Sequence, residues 1–173
     1  MSKKKLKLEA DSVDLLSRYI PFWRFTDFDS ATVKTMLMLW RLFQALFLTY
    51  NMVHPDEYWQ AVEVAYNFVY GGVDLPWEWT ADYRIRNTVY PFYLVLYLQT
   101  IKLTGLDTPW AVRNYPYIAH SLLVIVSDRY LWKISLRLIG KPASRITMLL
   151  YFLNRNYNEL IIRCFTTSLE AVF

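Results

Sequence analysis

Cysteine, glycine and charged residues are all scarce in this sequence. Its 173 residues include one cysteine, Cys164, and four glycines, and charged side chains make up only 20%. A single cysteine excludes an internal disulfide framework and a cysteine-based zinc site. So few glycines exclude a collagen-like chain or a glycine-rich linker, and a hydrophobic content of 55% excludes a disordered chain.

What the chain has in abundance is apolar and aromatic surface. Aromatic residues reach 18%, the mean hydropathy is positive, and the formal net charge is +4. The positive charges lie at the start of the chain and between apolar runs rather than along one stripe, which argues against a nucleic-acid partner. The composition therefore predicts a membrane protein, and the apolar runs along the chain predict an all-α fold with several transmembrane helices.

The apolar runs divide the chain into segments. Residues 1–32 form a predicted cytoplasmic leader, because its lysines at 3–7 favour the inner side of a membrane and no signal-peptide cleavage site follows. Residues 33–50 form a predicted first transmembrane helix, close to the lower limit of about 17 residues. Residues 89–173 contain further apolar stretches that predict more transmembrane helices. The chain ends within such a stretch, so we expect it to be the N-terminal part of a longer protein.

Residues 51–88 form a predicted lumenal loop, since they hold six acidic residues but only two basic ones. A helix is predicted from Pro55 to Tyr70, because proline suits a first helical position and Gly71 and Gly72 then stop the helix. Its apolar residues recur at helical spacing, which predicts an amphipathic helix lying on the membrane. These residues are Trp59, Val62, Tyr66 and Val69.

The topology after residue 103 is ambiguous. Apolar stretches cover 90–103, 117–127 and 146–153, and counting them from a cytoplasmic N-terminus places residues 132–146 outside the cytoplasm. That connection nevertheless carries four basic residues and no acidic one, which favours the cytoplasmic side. The two indications disagree.

Two adjacent carboxylates, Asp56 and Glu57, lie at the start of the predicted loop helix. A carboxylate at this polar boundary can accept a proton from a sugar hydroxyl within hydrogen-bond reach. Carboxylates in a first helical turn also simply complement the helix dipole. Spacing alone leaves both interpretations open.

This block resembles the first lumenal loop of the membrane mannosyltransferases that use dolichyl-phosphate mannose. The signature of that family is Pro-Asp-Glu, present here at 55–57, followed by glutamine and glutamate, which match Gln60 and Glu63. The run Trp77-Glu78-Trp79, together with Arg86 and the Tyr90-Pro91 pair, resembles the members that add the third mannose of the glycosylphosphatidylinositol (GPI) anchor. The resemblance extends to Asp128 and to the stretch 163–170.

The resemblance implies a multi-pass glycosyltransferase of the GT-C type in the endoplasmic reticulum membrane, with its catalytic loop in the lumen. It would transfer mannose from dolichyl-phosphate mannose to form an α-1,2 linkage, inverting the anomeric centre in a single displacement. Its partners would be this donor and a lipid-linked glycan acceptor, and no cofactor or metal is expected. The alternatives are a mannosyltransferase of dolichol-linked N-glycan assembly, a non-catalytic membrane scaffold and a transporter.

The same resemblance assigns roles to the candidate site residues. Asp56 would be the base, and Glu57 would position the acceptor or share that role. Arg41 and Arg86 are candidates for binding the donor phosphate, because guanidinium groups match phosphate oxygens; alternatively, Arg41 pairs with a carboxylate and Arg86 anchors the loop at the interface. The remaining candidates for substrate binding are Gln60, Glu63, Trp77, Glu78 and Trp79. The two tryptophans would stack on a sugar, although tryptophan is also common at membrane interfaces.

Two motifs suggest metal sites that we do not expect to form. Asp27-Phe28-Asp29 matches the Asp-x-Asp pattern of nucleotide-sugar transferases, but it lies in the short leader without a nucleotide-binding fold. His54 and His120, the two histidines, lie on different segments. We expect His54 to hydrogen-bond within the loop and His120 to be a polar residue within the helix bundle.

Overall fold

The computed structural model describes residues 27–49, 55–80 and 86–164. These residues form helices and their connections, which confirms the all-α prediction for this part of the chain. The leader before residue 27, His54 and the stretch after Cys164 lie outside the described residues.

We number the α-helices as follows: α1 Ala31–Phe43, α2 Glu63–Val69, α3 Val89–Leu103, α4 Pro109–Ile139, α5 Lys141–Leu153 and α6 Arg155–Ile161. Two π-helical segments, Gln44–Leu48 and Tyr58–Val62, and a 3₁₀ turn, Trp77–Trp79, complete the list.

The predicted first transmembrane helix is present. Helix α1 and the π-helical segment after it form one 18-residue helical run, Ala31–Leu48, which is long and apolar enough to cross a membrane. It is the one such helix among the described residues, and it begins and ends two residues before the predicted 33–50. Leucine and methionine dominate its sequence, and both favour the helix. Helix α3 has 15 residues, fewer than the roughly 17 that a span needs, and no other described helix is both long and apolar enough, so the multi-pass prediction stays a prediction.

The predicted loop helix is present from residue 56 to Val69. Its first turn forms around Pro55, whose carbonyl accepts the backbone N–H of Tyr58 at 3.0 Å. Gly71 and Gly72 follow the helix with φ of 76° and 80°, a left-handed backbone that favours glycine and stops the helix as predicted. We call residues 55–70 the loop helix.

The loop helix packs into the protein through a face that is largely separate from the apolar face predicted to lie on the membrane, and the membrane contact stays a prediction. The buried residues are Ala61, Val64, Ala65 and Val69, and this face packs along α3. Of the four residues predicted to form the apolar face, Val69 is buried, whereas Trp59 is 50% exposed. The two alanines allow the close approach to α3, and the hydrophobic pattern alone overlooked them because large residues dominate it.

Helix α4 is a single helix of 31 residues. At 1.5 Å per residue it is about 46 Å long. It contains the apolar stretch 117–127 and also the first half of the basic segment 132–146, which the sequence analysis treated as a connection between helices. Lys133 and Arg137 are therefore helical. The reason is that no glycine or proline follows Pro116 until Gly140, where φ is 78°.

The chain divides into two compact units. The described part of the first unit comprises residues 27–39 and 128–158, and that of the second comprises 40–49, 55–80, 86–127 and 159–164. The core of the first unit is built around Phe28, Val33, Trp132 and Met148. The two carboxylates of the Asp-x-Asp motif bind neighbours within this unit: Asp27 pairs with Arg145 at 3.2 Å, and Asp29 accepts a hydrogen bond from the Trp132 indole at 3.0 Å.

Candidate active site

A cavity of about 380 Å³ lies in the second unit, between the loop helix and the segment 74–78. Five of the nine residues predicted for the site line it: Asp56, Gln60, Glu63, Trp77 and Glu78. Trp59, Asp74, Leu75 and Pro76 complete the lining and were not predicted from sequence. We call it the carboxylate cavity, because four acidic side chains line it.

Helical spacing explains how three of these side chains come together. Asp56, Gln60 and Glu63 are four and three residues apart, so their side chains share one face of the loop helix. That face borders the segment 74–78, which contributes Trp77 and Glu78. Three residues of the predicted family signature therefore line one cavity.

The acidic residues around this cavity lie in different environments, and their pKa values shift in opposite directions. Burial raises the pKa of the Glu63 carboxyl above its ordinary value. A hydrogen bond from the Arg86 guanidinium lowers the pKa of Glu78. One wall therefore holds a carboxylate that stays ionised, whereas Glu63 is easier to protonate.

Arg86 forms a two-pronged ion pair with Glu78. Its Nε donates to Oε2 at 2.8 Å and its Nη2 donates to Oε1 at 3.0 Å. This geometry is the strong, directional form of an arginine–carboxylate pair. It places the guanidinium next to the carboxylate cavity, while the predicted role of Arg86 in phosphate binding stays a prediction.

Glu57 lies on a different side of the loop helix from its neighbour Asp56. Its side chain is fully buried, and both of its carboxylate oxygens accept hydrogen bonds from Nη1 of Arg163, at 3.0 and 3.3 Å. Arg163 is 2% exposed, and its Nη2 donates to the carbonyl of Leu48 at 3.4 Å. The lining residues of the carboxylate cavity include Asp56 but not Glu57. The direct role predicted for Glu57 stays a prediction.

Arg163 is the residue of this region that sequence reasoning did not select. It lies 106 positions after Glu57, and no spacing rule connects the two. The available signal was its place at the head of the stretch that resembles the family near the end of the chain. A buried carboxylate needs a cationic partner, and the structure supplies it from that stretch.

The other two predicted residues lie outside the lining of the carboxylate cavity. Trp79 ends the 3₁₀ turn and is half-buried, whereas Trp77 is 59% exposed. Arg41 is fully buried, and its Nη1 donates to the Gln44 side chain at 3.0 Å. The phosphate-binding role of Arg41 and the sugar-stacking role of Trp79 stay predictions.

His120 is a buried polar residue of the helices, as its position suggested. Its Nε2 is 2.9 Å from the carbonyl of Ile161, so this nitrogen carries the proton and donates. Nδ1 then accepts a hydrogen bond from the Tyr90 hydroxyl at 2.8 Å. Both ring nitrogens are used within the protein, which argues against a metal-binding role.

Comparison with known proteins shows the family to which this chain belongs. The model of the Alg9-like mannosyltransferase family matches residues 32–173. The chain therefore belongs to the Alg9-like mannosyltransferase family. No solved structure matches it significantly.

Several curated proteins are similar to this chain. GPI mannosyltransferase 3 of Yarrowia lipolytica is 35% identical over 142 residues, which cover 82% of this chain and 27% of the relative. GPI mannosyltransferase 3 of Trypanosoma brucei brucei is 40% identical over 95 residues, covering 54% of this chain and 16% of the relative. GPI alpha-1,2-mannosyltransferase 3 of Homo sapiens is 32% identical over 99 residues, covering 57% and 18%. The chain thus spans about a quarter or less of the length of these relatives.

Proposed function

We propose that this chain carries the catalytic loop of an α-1,2-mannosyltransferase that adds the third mannose to a GPI-anchor precursor. The donor is dolichyl-phosphate mannose, and the enzyme resides in the endoplasmic reticulum membrane as a multi-pass protein with this loop on the lumenal side. Membership of the mannosyltransferase family and the names of the relatives support the reaction class and the GPI pathway.

The single observation that carries the proposal is the carboxylate cavity. The family signature at Asp56, Gln60 and Glu63 faces the Trp77-Glu78 pair across a space of about 380 Å³. This volume lies in the range of roughly 300–1,000 Å³ that is typical of small-molecule sites. Several carboxylates and an exposed indole are the groups that bind sugar hydroxyls and the apolar face of a sugar ring.

In the proposed reaction, Asp56 takes the proton of the acceptor hydroxyl. The acceptor oxygen attacks the anomeric carbon of mannose, the bond between that carbon and the phosphate oxygen breaks, and dolichyl phosphate leaves. A phosphate is already a good leaving group, so no general acid is needed. Attack from the opposite face converts the β-linked donor into an α-linked product.

The other residues hold the substrates. Gln60 and Glu63 hydrogen-bond sugar hydroxyls from the loop helix, and Trp77 stacks on the ring. Arg86 and Arg41 are the proposed contacts of the donor phosphate, Arg86 from beside the cavity, where Glu78 holds it. The carboxylate of Glu57 is bound by Arg163. Glu57 therefore acts indirectly, by fixing the position of the start of the loop helix.

The test is the variant Asp56→Asn in the intact reading frame that carries this sequence, expressed in cells that lack GPI mannosyltransferase 3. Loss of a general base lowers a rate by about 10²- to 10⁴-fold. We therefore expect the two-mannose GPI precursor to accumulate, as seen by mannose labelling of lipid extracts. Asp29→Asn is the matched control, because it makes the same chemical change outside the carboxylate cavity. The asparagine side chain keeps an oxygen that can accept the hydrogen bond from Trp132.

The lipid profile of cells lacking this protein separates the alternatives. Accumulation of the two-mannose GPI precursor supports the proposal. A truncated dolichol-linked oligosaccharide in its place indicates N-glycan assembly, and an unchanged lipid profile indicates a scaffold. Full mannose transfer by the Asp56→Asn variant contradicts the assignment of the base.

A further inference from the structure

A second, larger cavity borders the loop helix. Its volume is about 590 Å³, and it lies within the second unit. Tyr58, Tyr66 and Tyr70 line it from the loop helix, and Val112 and Arg113 line it from the start of α4. The three tyrosines are eight and four residues apart, so they form one stripe along the helix. We call this space the tyrosine cavity.

The stripe combines apolar ring faces with polar tips. The rings of Tyr66 and Tyr70 stack, with centroids 4.9 Å apart. The Tyr70 hydroxyl is buried and has no hydrogen-bond partner among the residues that the structure describes. A buried hydroxyl without a partner is unfavourable, and Tyr70 is also one of the residues that line the cavity. Aromatic faces and hydroxyl groups together suit a saccharide, which has apolar ring faces and hydroxyl edges.

The charged residues that line the tyrosine cavity favour a neutral ligand over an anionic one. Glu63 and Asp107 line it along with one cation, Arg113. A phosphate would meet two carboxylates and a single guanidinium, and like charges at short range repel. A neutral sugar accepts and donates hydrogen bonds to all three groups without this cost. The charge pattern therefore favours the neutral part of a glycan over the donor phosphate.

Glu63 lines both cavities. A glycan bound along the tyrosine stripe is thus within one side chain of the cavity that contains Asp56. We propose that the tyrosine cavity binds a neutral sugar unit of the lipid-linked acceptor glycan and so delivers the hydroxyl of the adjoining sugar to Asp56. The inference rests on the proposed function and extends it to the part of the acceptor glycan beyond the sugar that reacts, for which no residue is assigned above.

A variant that fills the cavity tests the inference. Val112→Phe adds bulk to the α4 wall of the tyrosine cavity, and Val112 does not line the carboxylate cavity. Val126→Phe makes the same change at a half-exposed position of the same helix. We expect Val112→Phe to raise the KM for the acceptor by about tenfold or more through steric exclusion, with the KM for the donor unchanged. Val126→Phe should change neither constant. An unaltered acceptor KM in a Val112→Phe protein with a native thermal transition overturns the inference.

A direct binding measurement tests the cavity without turnover. Saturation-transfer NMR on the protein in detergent micelles uses methyl α-mannoside as the neutral probe and inorganic phosphate as the anionic one. We expect saturable binding of the sugar that Val112→Phe weakens by about tenfold, and that Tyr70→Phe weakens by about three- to tenfold through loss of one hydrogen bond. Phosphate should not compete.

The two experiments separate failure of the inference from failure of the proposed function. Sugar binding that is equal in wild type and Val112→Phe, or that phosphate displaces, overturns the inference even if Asp56→Asn abolishes mannose transfer. Sugar binding that depends on Val112 and Tyr70 in a protein without transferase activity upholds the subsite and contradicts the proposed reaction alone.

Discussion

Removal of Arg163 should be among the most destabilising single changes in the chain. In the native protein Glu57 is 0% exposed and Arg163 is 2% exposed, and one nitrogen of the arginine serves both carboxylate oxygens. Arg163→Met keeps much of the side-chain length but leaves the Glu57 charge buried without its cation. Breaking a buried pair in this way costs about 3–5 kcal/mol. For a domain of 150–250 residues, each kcal/mol lowers the Tm by about 2–4 °C, so we expect a fall of roughly 6–20 °C.

The assay is thermal unfolding in detergent, followed by circular dichroism, of both single variants and the double variant. Replacing both partners by apolar residues of similar size is often neutral or stabilising by about 1–4 kcal/mol. We therefore expect Glu57→Leu/Arg163→Met to regain most of the stability that Arg163→Met loses. Arg155→Met is the control, because Arg155 is exposed and such changes fall within about 0.5 kcal/mol. A double variant as unstable as the sum of the single ones would refute the pair as the source of the effect.

Two further predictions concern other contacts of the second unit. Because Arg86 lowers the pKa of Glu78, this pair stabilises the fold above the unfolded-state pKa, and that contribution is lost as pH falls through the lower folded-state value. Between about pH 6 and about pH 3, Glu78→Gln should therefore lose less stability than the wild type, and an identical pH profile contradicts the assignment. His120→Leu leaves the Tyr90 hydroxyl and the carbonyl of Ile161 without their imidazole partner, so the free energy of unfolding should fall by about 1–3 kcal/mol. Chemical denaturation measures this loss, and Tyr130→Phe, at an exposed tyrosine, serves as its control.

The sequence could predict those parts of the structure that are determined by residues close together in the chain. Pro55 at the start of the loop helix and Gly71 at its end bound that helix in both the prediction and the structure. The spacing of Asp56, Gln60 and Glu63 places them on one helical face before any tertiary contact is known. The first apolar helix follows equally from its run of good helix formers.

The parts that sequence could not predict depend on contacts between distant residues. The partner of Glu57 comes from 106 positions away, and the tyrosine cavity needs the start of α4 against the loop helix. The face of the loop helix that packs against α3 was not predicted either, because it holds small alanines beside its valines. A hydrophobic pattern detects large apolar side chains but not how closely two helices approach each other. It therefore gives more weight to tryptophan than to alanine.

The opposite environments of Asp56 and Glu57 follow from one geometric constraint. Successive residues of a helix differ by about 100° in direction, so two neighbours cannot both face the same cavity squarely. Arg163 holds Glu57 toward the interior, and this fixes the rotation of the helix start that leaves Asp56 at the carboxylate cavity. The Glu57 carboxylate is occupied by its buried ion pair with Arg163, whereas Asp56 lines the cavity that a substrate would enter. Of the two adjacent carboxylates, this geometry supports the proposal that Asp56 is the base and that Glu57 positions it.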